Sequence, residues 1–417
     1  MTLGEFLNTW IAGKNDVKPN THRCYRQHID DYLIPLLGHH RLDRLRAAHL
    51  QAAFDKITDQ AEAVARDNAQ WRQVLAASKQ AWREHDAGTA REARARLRAM
   101  APFCRPVGPA TVQRVRATLR TALTDACKQQ LIAVNVAKLV NLSPERRPRP
   151  LIWNPTRVDA WRKTDAVPGP VMVWTLAQTR AFLEAARGHR FHPLYLLIAH
   201  SGLRRGEAVG LRWEDVDLAT GVIEIRQQII QHGWQLQIAE TKTHAGERTV
   251  IAVPAVVKVL EAEHEHQRHR RETAGIPWQD TGLVFTTDTG TAVHPNKVTE
   301  QFRALTREAD LPPIRLHDLR HGAATHALSA GVPIKTVSEM LGHSSYVITA
   351  DTYTSVADEA KRAAAQAIAN LLAPDQGNSH APSTDTNPSL RQNPQTGAHQ
   401  RPRPGRRRGP GRSKRHR

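Results

Sequence analysis

The sequence predicts a mainly α-helical protein with one small antiparallel β-sheet (α+β), in which a helical N-terminal domain precedes a larger second domain. Two observations support this prediction. Apolar residues recur at helical spacing through most of the chain, beginning behind a capping box formed by Thr2 and Glu5. One region, residues 221–253, instead has short runs rich in β-branched residues with turn-forming residues between them, which is typical of antiparallel strands.

The first predicted domain spans residues 1–144 and is helical throughout. The apolar stripe of its first helix consists of Leu3, Phe6, Leu7, Trp10 and Ile11. A second helix follows Asn20 and Thr21, a third runs through "LRAAHLQAAFDKI", and a further helix spans residues 109–132. Between these, residues 60–105 are charged and rich in alanine, and they predict a helical insertion whose heptad pattern is too weak for a coiled coil.

Residues 145–174 are rich in proline and arginine and show no helical or strand period. This composition predicts an extended linker between the two domains.

The second domain is predicted over residues 175–373 and starts with a capping-box pattern from Thr175 to Gln178. Helices lead to three antiparallel strands, "GVIEIRQQII", "WQLQIA" and "RTVIAV", and helices then continue to residue 373. Residues 374–417 are polar and basic and predict a disordered tail, because they cannot bury enough apolar area to fold.

The chain is strongly basic, with 59 Lys and Arg against 40 Asp and Glu and a formal net charge of +19. An excess of this size favours a polyanionic partner, nucleic acid before membrane. An odd set of three cysteines without zinc spacing argues for a reducing compartment. Because no apolar run is long enough to span a bilayer and no signal-peptide pattern follows Met1, we expect a cytoplasmic protein without a membrane partner.

The stretch "HDLRH" places His317, Arg320 and His321 at helical spacing, so the three side chains can share one face. Such a cluster fits a metal site, an anion site or a polar helix surface. A zinc site of His317, His321 and His343 is disfavoured, since the glutamate of the His-Glu-x-x-His motif is missing and Arg320 would repel the cation. The carboxylates of "WEDVD" lie between a helix and a strand, where turn and capping roles are expected rather than a two-metal nuclease site.

Four further residues give only weak evidence of a function when each is considered alone. Arg204, at a predicted helix start, suits an anion site but also an ion pair with Glu207. Lys242 lies in a loop between strands, where most lysines are simply solvated. His343 follows a helix that ends at Gly342, and a lone Tyr353 is more often a half-buried core residue.

Together these groups suit chemistry on a phosphodiester. Paired arginines can grip the non-bridging oxygens and stabilise the charge of a pentacoordinate transition state. Tyr353 can be the nucleophile if His317 and the arginines assist its deprotonation, and Lys242 is placed to protonate the leaving 5′ oxygen. The set contains no carboxylate pair for a catalytic metal, so neither a metal nor another cofactor is expected.

The sequence closely resembles the tyrosine recombinase (phage integrase) family, in particular the integrases of actinobacterial phages and integrative plasmids. The resemblance rests on "SGLRRGE", a lysine in a β loop, "HDLR", "LGH" and a following tyrosine, in this order. It implies a helical core-binding (SAM-like) domain followed by a tyrosine-recombinase catalytic domain. The implied catalytic residues are Arg204, Lys242, His317, Arg320, His343 and the nucleophile Tyr353.

The resemblance also implies the reaction and the partners. Tyr353 would form a 3′-phosphotyrosyl bond with DNA, so that integration or excision of a mobile element needs neither ATP nor metal. A homo-tetramer would act on double-stranded DNA attachment sites and exchange its last helices, with a directionality factor or a host DNA-bending protein as possible helpers. A non-catalytic DNA-binding protein of the same fold and a type IB topoisomerase-like strand transferase stay open as alternatives.

The chain also departs from the family pattern. Longer integrases carry an additional N-terminal arm-binding domain, for which we expect no room in this chain. The insertion at residues 60–105 has no counterpart that we can place, and the basic tail is an addition.

Overall fold

The structure is a computed structural model that describes residues 1–142, 148–240, 247–275, 277–342, 345–347 and 349–350. Three predicted site residues, Lys242, His343 and Tyr353, lie outside the described residues, as do the predicted last helix and the basic tail.

The N-terminal part contains six α-helices: α1 (Leu3–Ala12), α2 (Pro19–His28), α3 (Ile34–Leu37), α4 (Ala47–Arg83), α5 (Ala87–Ala99) and α6 (Pro109–Lys128). The predicted capping box closes the start of α1, since the Thr2 amide donates to Glu5 Oε2 at 2.7 Å and the Glu5 amide donates to Thr2 Oγ1 at 3.3 Å. The apolar stripes of α1, α4 and α6 meet in one hydrophobic core, in which Leu7 and Leu119 are fully buried.

The predicted insertion is helical, but it does not begin as a separate element. Helix α4 is continuous over 37 residues, so the predicted third helix and the first half of the insertion are one helix. α4 and α5 pack as a helical hairpin, with Val74 and Ala81 of α4 and Ala90 of α5 buried between them. After α5 the chain returns to α4, where the Asn68 side chain exchanges two hydrogen bonds with the backbone of Cys104.

The expectation of an extended linker is wrong for residues 151–174. This stretch contains β1 (Leu151–Ile152), α7 (Pro155–Thr164) and β2 (Met172–Val173), and the two strands pair in parallel. Trp153 and Trp174 are buried in the core of the second part of the chain. Their indole N–H groups donate to backbone carbonyls near residue 312, so this segment is part of that fold. Where one domain ends and the next begins stays a prediction.

The remaining helices are α8 (Leu176–Ala185), α9 (His192–Ser201), α10 (Arg205–Val209), α11 (Pro254–Thr273), α12 (Pro295–Glu308), α13 (Leu316–Ser329) and α14 (Ile334–Leu341). The strands are β3 (Val216–Asp217), β4 (Val222–Ile225), β5 (Gln227–His232), β6 (Gln235–Glu240) and β7 (Arg248–Ile251). A second hydrophobic core lies among these elements and includes the fully buried Phe182 and Phe302.

The predicted strands are present, but the first of them is divided at Arg226. β4 pairs antiparallel with β3 and β7, whereas β5 pairs antiparallel with β6. Gly233 has a φ of +61° in the turn between β5 and β6, a conformation that favours glycine. Arg226 is exposed and forms ion pairs with Asp215 and Glu224, which fits its position outside both pairings. Among the described helices, none is both long and apolar enough to cross a membrane.

Candidate functional site

Two of the predicted arginines meet at the C-terminal turn of α14. Gly342 ends this helix in a left-handed conformation with a φ of +63°. Arg320 donates from Nη2 to the Leu341 carbonyl at 2.6 Å, and Arg204 donates from Nη2 to the Gly342 carbonyl at 3.1 Å. The last carbonyls of a helix have no partner within the helix and carry partial negative charge, so cations stabilise them. The "LRR", "HDLR" and "LGH" motifs therefore come together directly before His343.

A third arginine, Arg248, completes this arrangement from β7. Its Nε donates to the Met340 carbonyl at 2.8 Å, and its Nη2 contacts Glu207 Oε2 at 2.9 Å. Glu207 Oε1 accepts from Arg204 Nη1 at 2.6 Å, so one carboxylate joins two arginines. Glu207 is buried, with 3% of its surface exposed. Three arginines thus bind three successive carbonyls of one helix end.

The pKa of Glu207 shows how strongly its neighbours hold the charge. Burial by itself would raise this pKa. The hydrogen bond from Arg248 and the positive charges of Arg248 and Arg204 outweigh that effect and lower the pKa to about 2. Glu207 is therefore an anion at neutral pH, as its two guanidinium partners require.

The local sequence explains why Arg204 reaches this point. Gly202 ends α9 with a φ of +66°, which turns the chain so that Arg204 becomes the N-cap of α10. The Arg204 amide donates to Glu207 Oε2 at 2.8 Å, as in a capping box. The Gly202 carbonyl accepts from Arg320 Nη1 at 2.6 Å, so the same turn also holds the second arginine.

The stretch "HDLRH" opens α13, and its carboxylate has a structural role. Asp318 is buried and accepts from the Arg315 amide at 2.9 Å and from the Arg315 guanidinium. This pairing caps the helix and leaves His317 one turn before Arg320. The His317 and His321 rings meet edge to face, with their centroids 5.2 Å apart.

His317 is exposed at the surface, but neighbouring protein atoms desolvate its ring. This desolvation lowers the pKa of His317 to about 4, and the positive charges of His321 and Arg320 act in the same direction. His317 is therefore a neutral imidazole at physiological pH. A neutral imidazole can accept a proton or a hydrogen bond from an approaching hydroxyl group.

The two predicted arginines differ in accessibility. Arg320 is 3% exposed, and its terminal nitrogens contact the carbonyls of Gly202 and Leu341. The Arg204 side chain is 37% exposed and keeps a surface towards solvent. Arg204 is thus the more accessible of the two cations, while the buried Arg320 holds the backbone of Gly202 and Leu341 in place.

Arg248 was not predicted from the sequence. It lies at the first position of β7, just after the predicted Lys242 loop, and no motif distinguishes it from other strand arginines. Its importance comes from its contact with Met340, a residue 92 positions away in the chain.

The carboxylates of "WEDVD" have the turn and capping roles that the sequence favours. Asp215 is buried and accepts two hydrogen bonds from Arg212, and Asp217 accepts from the amides of Ala219 and Thr220. Among the residues that the structure describes, no group of three or more His, Cys, Asp or Glu side chains is arranged to hold a metal ion. The disfavoured zinc alternative includes His343 and so lies partly outside those residues.

Comparison with known families identifies both parts of the chain. Residues 175–360 match the "Phage integrase family" model, and residues 2–57 match the model of the "Phage integrase, N-terminal SAM-like domain". The chain belongs to the phage integrase family, whose members include the tyrosine recombinases. The resemblance drawn from the sequence motifs is confirmed.

Among curated relatives of this integrase-family chain, a XerC-like tyrosine recombinase of Caldanaerobacter subterraneus subsp. tengcongensis is 33% identical over 203 residues. This match covers 45% of the chain and 51% of the relative. An integrase of Streptomyces ambofaciens is 29% identical over 190 residues, covering 44% of the chain and 49% of the relative. The chain thus spans about half the length of these curated relatives.

The fold of this family member is that of known integrases. The Tn1549 transposon integrase, solved in complex with transposon right end DNA, superposes with a TM-score of 0.60 at 17% sequence identity. The match covers 88% of the chain and 100% of the solved structure. The predicted mainly helical α+β architecture is confirmed.

Proposed function

We propose that this chain is a site-specific DNA recombinase that integrates or excises a mobile element at double-stranded DNA attachment sites. The observation that carries the proposal is the convergence of Arg204 and Arg320 on the last carbonyls of α14, directly before His343. The catalytic residues that we assign are Arg204, Lys242, His317, Arg320, His343 and the nucleophile Tyr353.

The described part of the site favours a phosphodiester as its substrate. The Arg204 side chain is partly exposed, while Glu207 and the Gly342 carbonyl hold its guanidinium in place. A positioned guanidinium can bind a phosphate through two parallel hydrogen bonds. Arg320 and Arg248 add positive charge behind it, and this charge stabilises the additional negative charge of a pentacoordinate transition state.

The proposed reaction balances without a co-reactant. The Tyr353 hydroxyl oxygen attacks the scissile phosphorus and gives up its proton, for which the neutral His317 is the proposed acceptor. The bond from phosphorus to the 5′ oxygen breaks, and this oxygen takes a proton from Lys242. A 5′ hydroxyl of the partner strand then attacks the phosphotyrosyl bond, which restores the DNA backbone and releases Tyr353. Because the bond energy is conserved, we propose that neither ATP nor a metal cofactor takes part.

We further assign residues 1–144 as the core-binding domain, residues 175–373 as the catalytic domain, on whose core residues 151–174 pack, and residues 374–417 as a basic tail. The family matches over residues 2–57 and 175–360 support this division. A homo-tetramer on two DNA sites is the proposed assembly, since recombination requires four strand cleavages. A directionality factor or a DNA-bending protein as an additional partner, and a cytoplasmic location, are part of the same proposal.

A nicked suicide substrate made from DNA beside the gene tests this function. We expect the wild-type protein to form an SDS-resistant protein–DNA adduct in EDTA, because the broken strand cannot be rejoined and the phosphotyrosyl bond accumulates. Tyr353→Phe removes only the nucleophilic oxygen and should abolish the adduct while the affinity for DNA stays within about twofold.

Two outcomes would contradict the proposed nucleophile or the recombinase function. An adduct that persists in Tyr353→Phe would assign the nucleophile elsewhere. Tight binding without an adduct, on substrates tiled across the neighbouring DNA, would favour a DNA-binding protein that keeps the fold. Joining of two marked duplexes at a fixed sequence separates a recombinase from a topoisomerase-like strand transferase.

A further inference from the structure

The helical hairpin of α4 and α5 carries a row of arginines on one side. Arg91, Arg94 and Arg98 are spaced three and four residues apart on α5, so their side chains lie on one helix face. The guanidinium of Arg94 lies 4.7 Å from the ring centroid of Trp82 on α4. Residues of both helices therefore contribute to this side of the hairpin. We call Trp82, Arg91, Arg94 and Arg98 the arginine flank.

The arginines of this flank are exposed and lack acidic partners. Within the described ranges, Arg91, Arg94 and Arg98 form no ion pair. Some other exposed helical arginines of this protein are paired, as Arg268 is with Glu265 and Glu272 on α11. The positive charge of the flank is therefore not neutralised by its own helices.

Charge is distributed unevenly along the hairpin. Residues 71–105 contain eight Lys and Arg against three Asp and Glu. Residues 47–70, which include the part of α4 packed in the N-terminal core, contain two Lys and Arg against four Asp and Glu. The excess of positive charge is thus confined to the distal part of the hairpin, and this pattern fits a localised polyanion contact.

The opposite side of the hairpin differs in character. A groove there is lined by Gln70, Gln73, Thr89, Glu92 and Arg96, among other residues. The one arginine in this group has a glutamate in the same groove. The two sides therefore separate an arginine row from a mixed polar surface, and Arg96 offers a natural control position.

We propose that the arginine flank binds the phosphate backbone of double-stranded DNA, in addition to the contacts made at the catalytic site. This inference rests on the proposed function, because a duplex must be engaged by the same chain. From Arg91 to Arg98, α5 rises by about 10 Å, close to the axial length of three phosphates on one strand of B-DNA. The part of α4 beyond Ile57 extends about 39 Å and carries the flank away from the N-terminal core.

Trp82 has a defined part in this contact. Its side chain is 53% exposed, and its ring supports the guanidinium of Arg94. A planar guanidinium held in this way loses less conformational freedom when it binds a phosphate. A second cation–π pair, between Arg72 and Phe103, lies nearer the base of the hairpin.

The salt dependence of DNA binding tests the proposal. The triple variant R91Q/R94Q/R98Q should lower the slope of log K against log salt by about 2 to 3 on a 40-base-pair duplex, since each lost phosphate contact contributes about 0.9. The variant R187Q/R268Q/R271Q removes the same formal charge from arginines that are paired with carboxylates. This matched control should change the slope by less than about 1, and so should Arg96→Gln.

Lysine at the same three positions keeps the charge and should retain most of the slope, which separates a charge effect from a structural one. An unchanged slope in R91Q/R94Q/R98Q, or an equal decrease in the matched control, would overturn the proposal. A changed association of the DNA-free protein in sedimentation, with an unchanged slope, would assign the flank to a protein contact and also overturn it.

Failure of this inference is distinguishable from failure of the recombinase function. If the wild-type protein forms the Tyr353 adduct but the triple variant keeps the full slope, only the arginine flank proposal fails. If the slope falls as expected but no adduct forms on any substrate, the flank proposal is supported and the recombinase function fails.

Discussion

At the level of single residues, Glu207 connects two of the three arginines that bind the helix end at Gly342. It is buried and accepts from Arg204 and Arg248 at 2.6 and 2.9 Å. Removing one member of a buried ionic network leaves the remaining charges without compensation in a poorly solvated place. The stability of the site therefore depends on a residue that does not itself contact the DNA in the proposed reaction.

Glu207→Gln should lower the free energy of unfolding by about 3 to 5 kcal/mol, because glutamine keeps the shape of the side chain but removes the buried carboxylate that pairs with Arg204 and Arg248. Chemical denaturation at pH 7 measures this change. Glu265→Gln removes an exposed carboxylate that pairs with Arg268 and should lower the free energy of unfolding much less, because solvent screens that pair. Equal effects of the two variants would contradict the role given to Glu207.

The pH dependence of this effect has a definite sign. The pKa of Glu207 is lowered from 4.5 to about 2 in the folded protein. A depressed carboxyl pKa adds stability that is present above the unfolded pKa and is lost as the pH falls through the folded pKa, here a contribution of about 3 kcal/mol. The difference in stability between the wild type and Glu207→Gln should therefore shrink between pH 4.5 and 2. A constant difference over that range would contradict this account.

For Arg204, the sequence presented an anion site and an ion pair with Glu207 as alternatives. The structure contains the ion pair between Arg204 and Glu207, and the other terminal nitrogen of Arg204 donates to the Gly342 carbonyl. A spacing of three residues predicts the first contact, because it lies within one helical turn. The second contact spans 138 residues and depends on how α10 and α14 pack, which no local pattern encodes.

At the level of helices and strands, local signals predicted the elements and long-range contacts decided the exceptions. The capping boxes at Thr2 and Thr175 are confirmed, since each needs only side chains three residues apart. The segment with Trp153 and Trp174 was expected to be extended, because its prolines and arginines hide any period. It folds because both indoles are buried and bind carbonyls 160 and 138 residues further along the chain.

The turn at Gly202 links α9 to the site. A substitution at Gly202 should reduce activity through displacement of α14 as well as through backbone strain. Gly202 has a φ of +66°, and an added Cβ would lie 2.6 Å from Leu341 Cδ2. Gly202→Ala should therefore destabilise the protein by about 2 to 4 kcal/mol, through left-handed strain and overpacking, and displace α14 from Arg320. We expect adduct formation to fall at least tenfold.

Gly233→Ala is the matched control for this prediction. Gly233 has a similar φ of +61°, but an added Cβ there meets no described atom within 4 Å. Gly233→Ala should lower the free energy of unfolding by about 1 kcal/mol and keep adduct formation within about twofold of the wild type. Thermal unfolding and adduct yield measure both variants, and similar losses of activity would contradict the proposed contact between Gly202 and α14.

At the level of the whole molecule, net charge is the property that can be read most directly from the sequence. The formal net charge is +19, and residues 374–417 hold ten Lys and Arg against two Asp. Residues 1–373 therefore keep a charge of +11 by difference. Binding to DNA should weaken steeply with salt even without the basic tail, since the remaining cations still release counterions from the phosphates.

Removal of residues 374–417 should lower the affinity for non-specific DNA more than it changes the choice of cleavage site. The reason is that the positive charge of the tail attracts the phosphate backbone of any DNA sequence, whereas site choice depends on side chains that read base edges in the grooves. Affinities of the full chain and the truncated chain for a random duplex, together with mapping of the Tyr353 adduct on the attachment site, measure the two effects. A chain of full length with the ten basic tail residues changed to glutamine separates charge from length and should behave like the truncated chain. A shift in the position of cleavage in either variant would assign the tail a part in site selection and contradict this prediction.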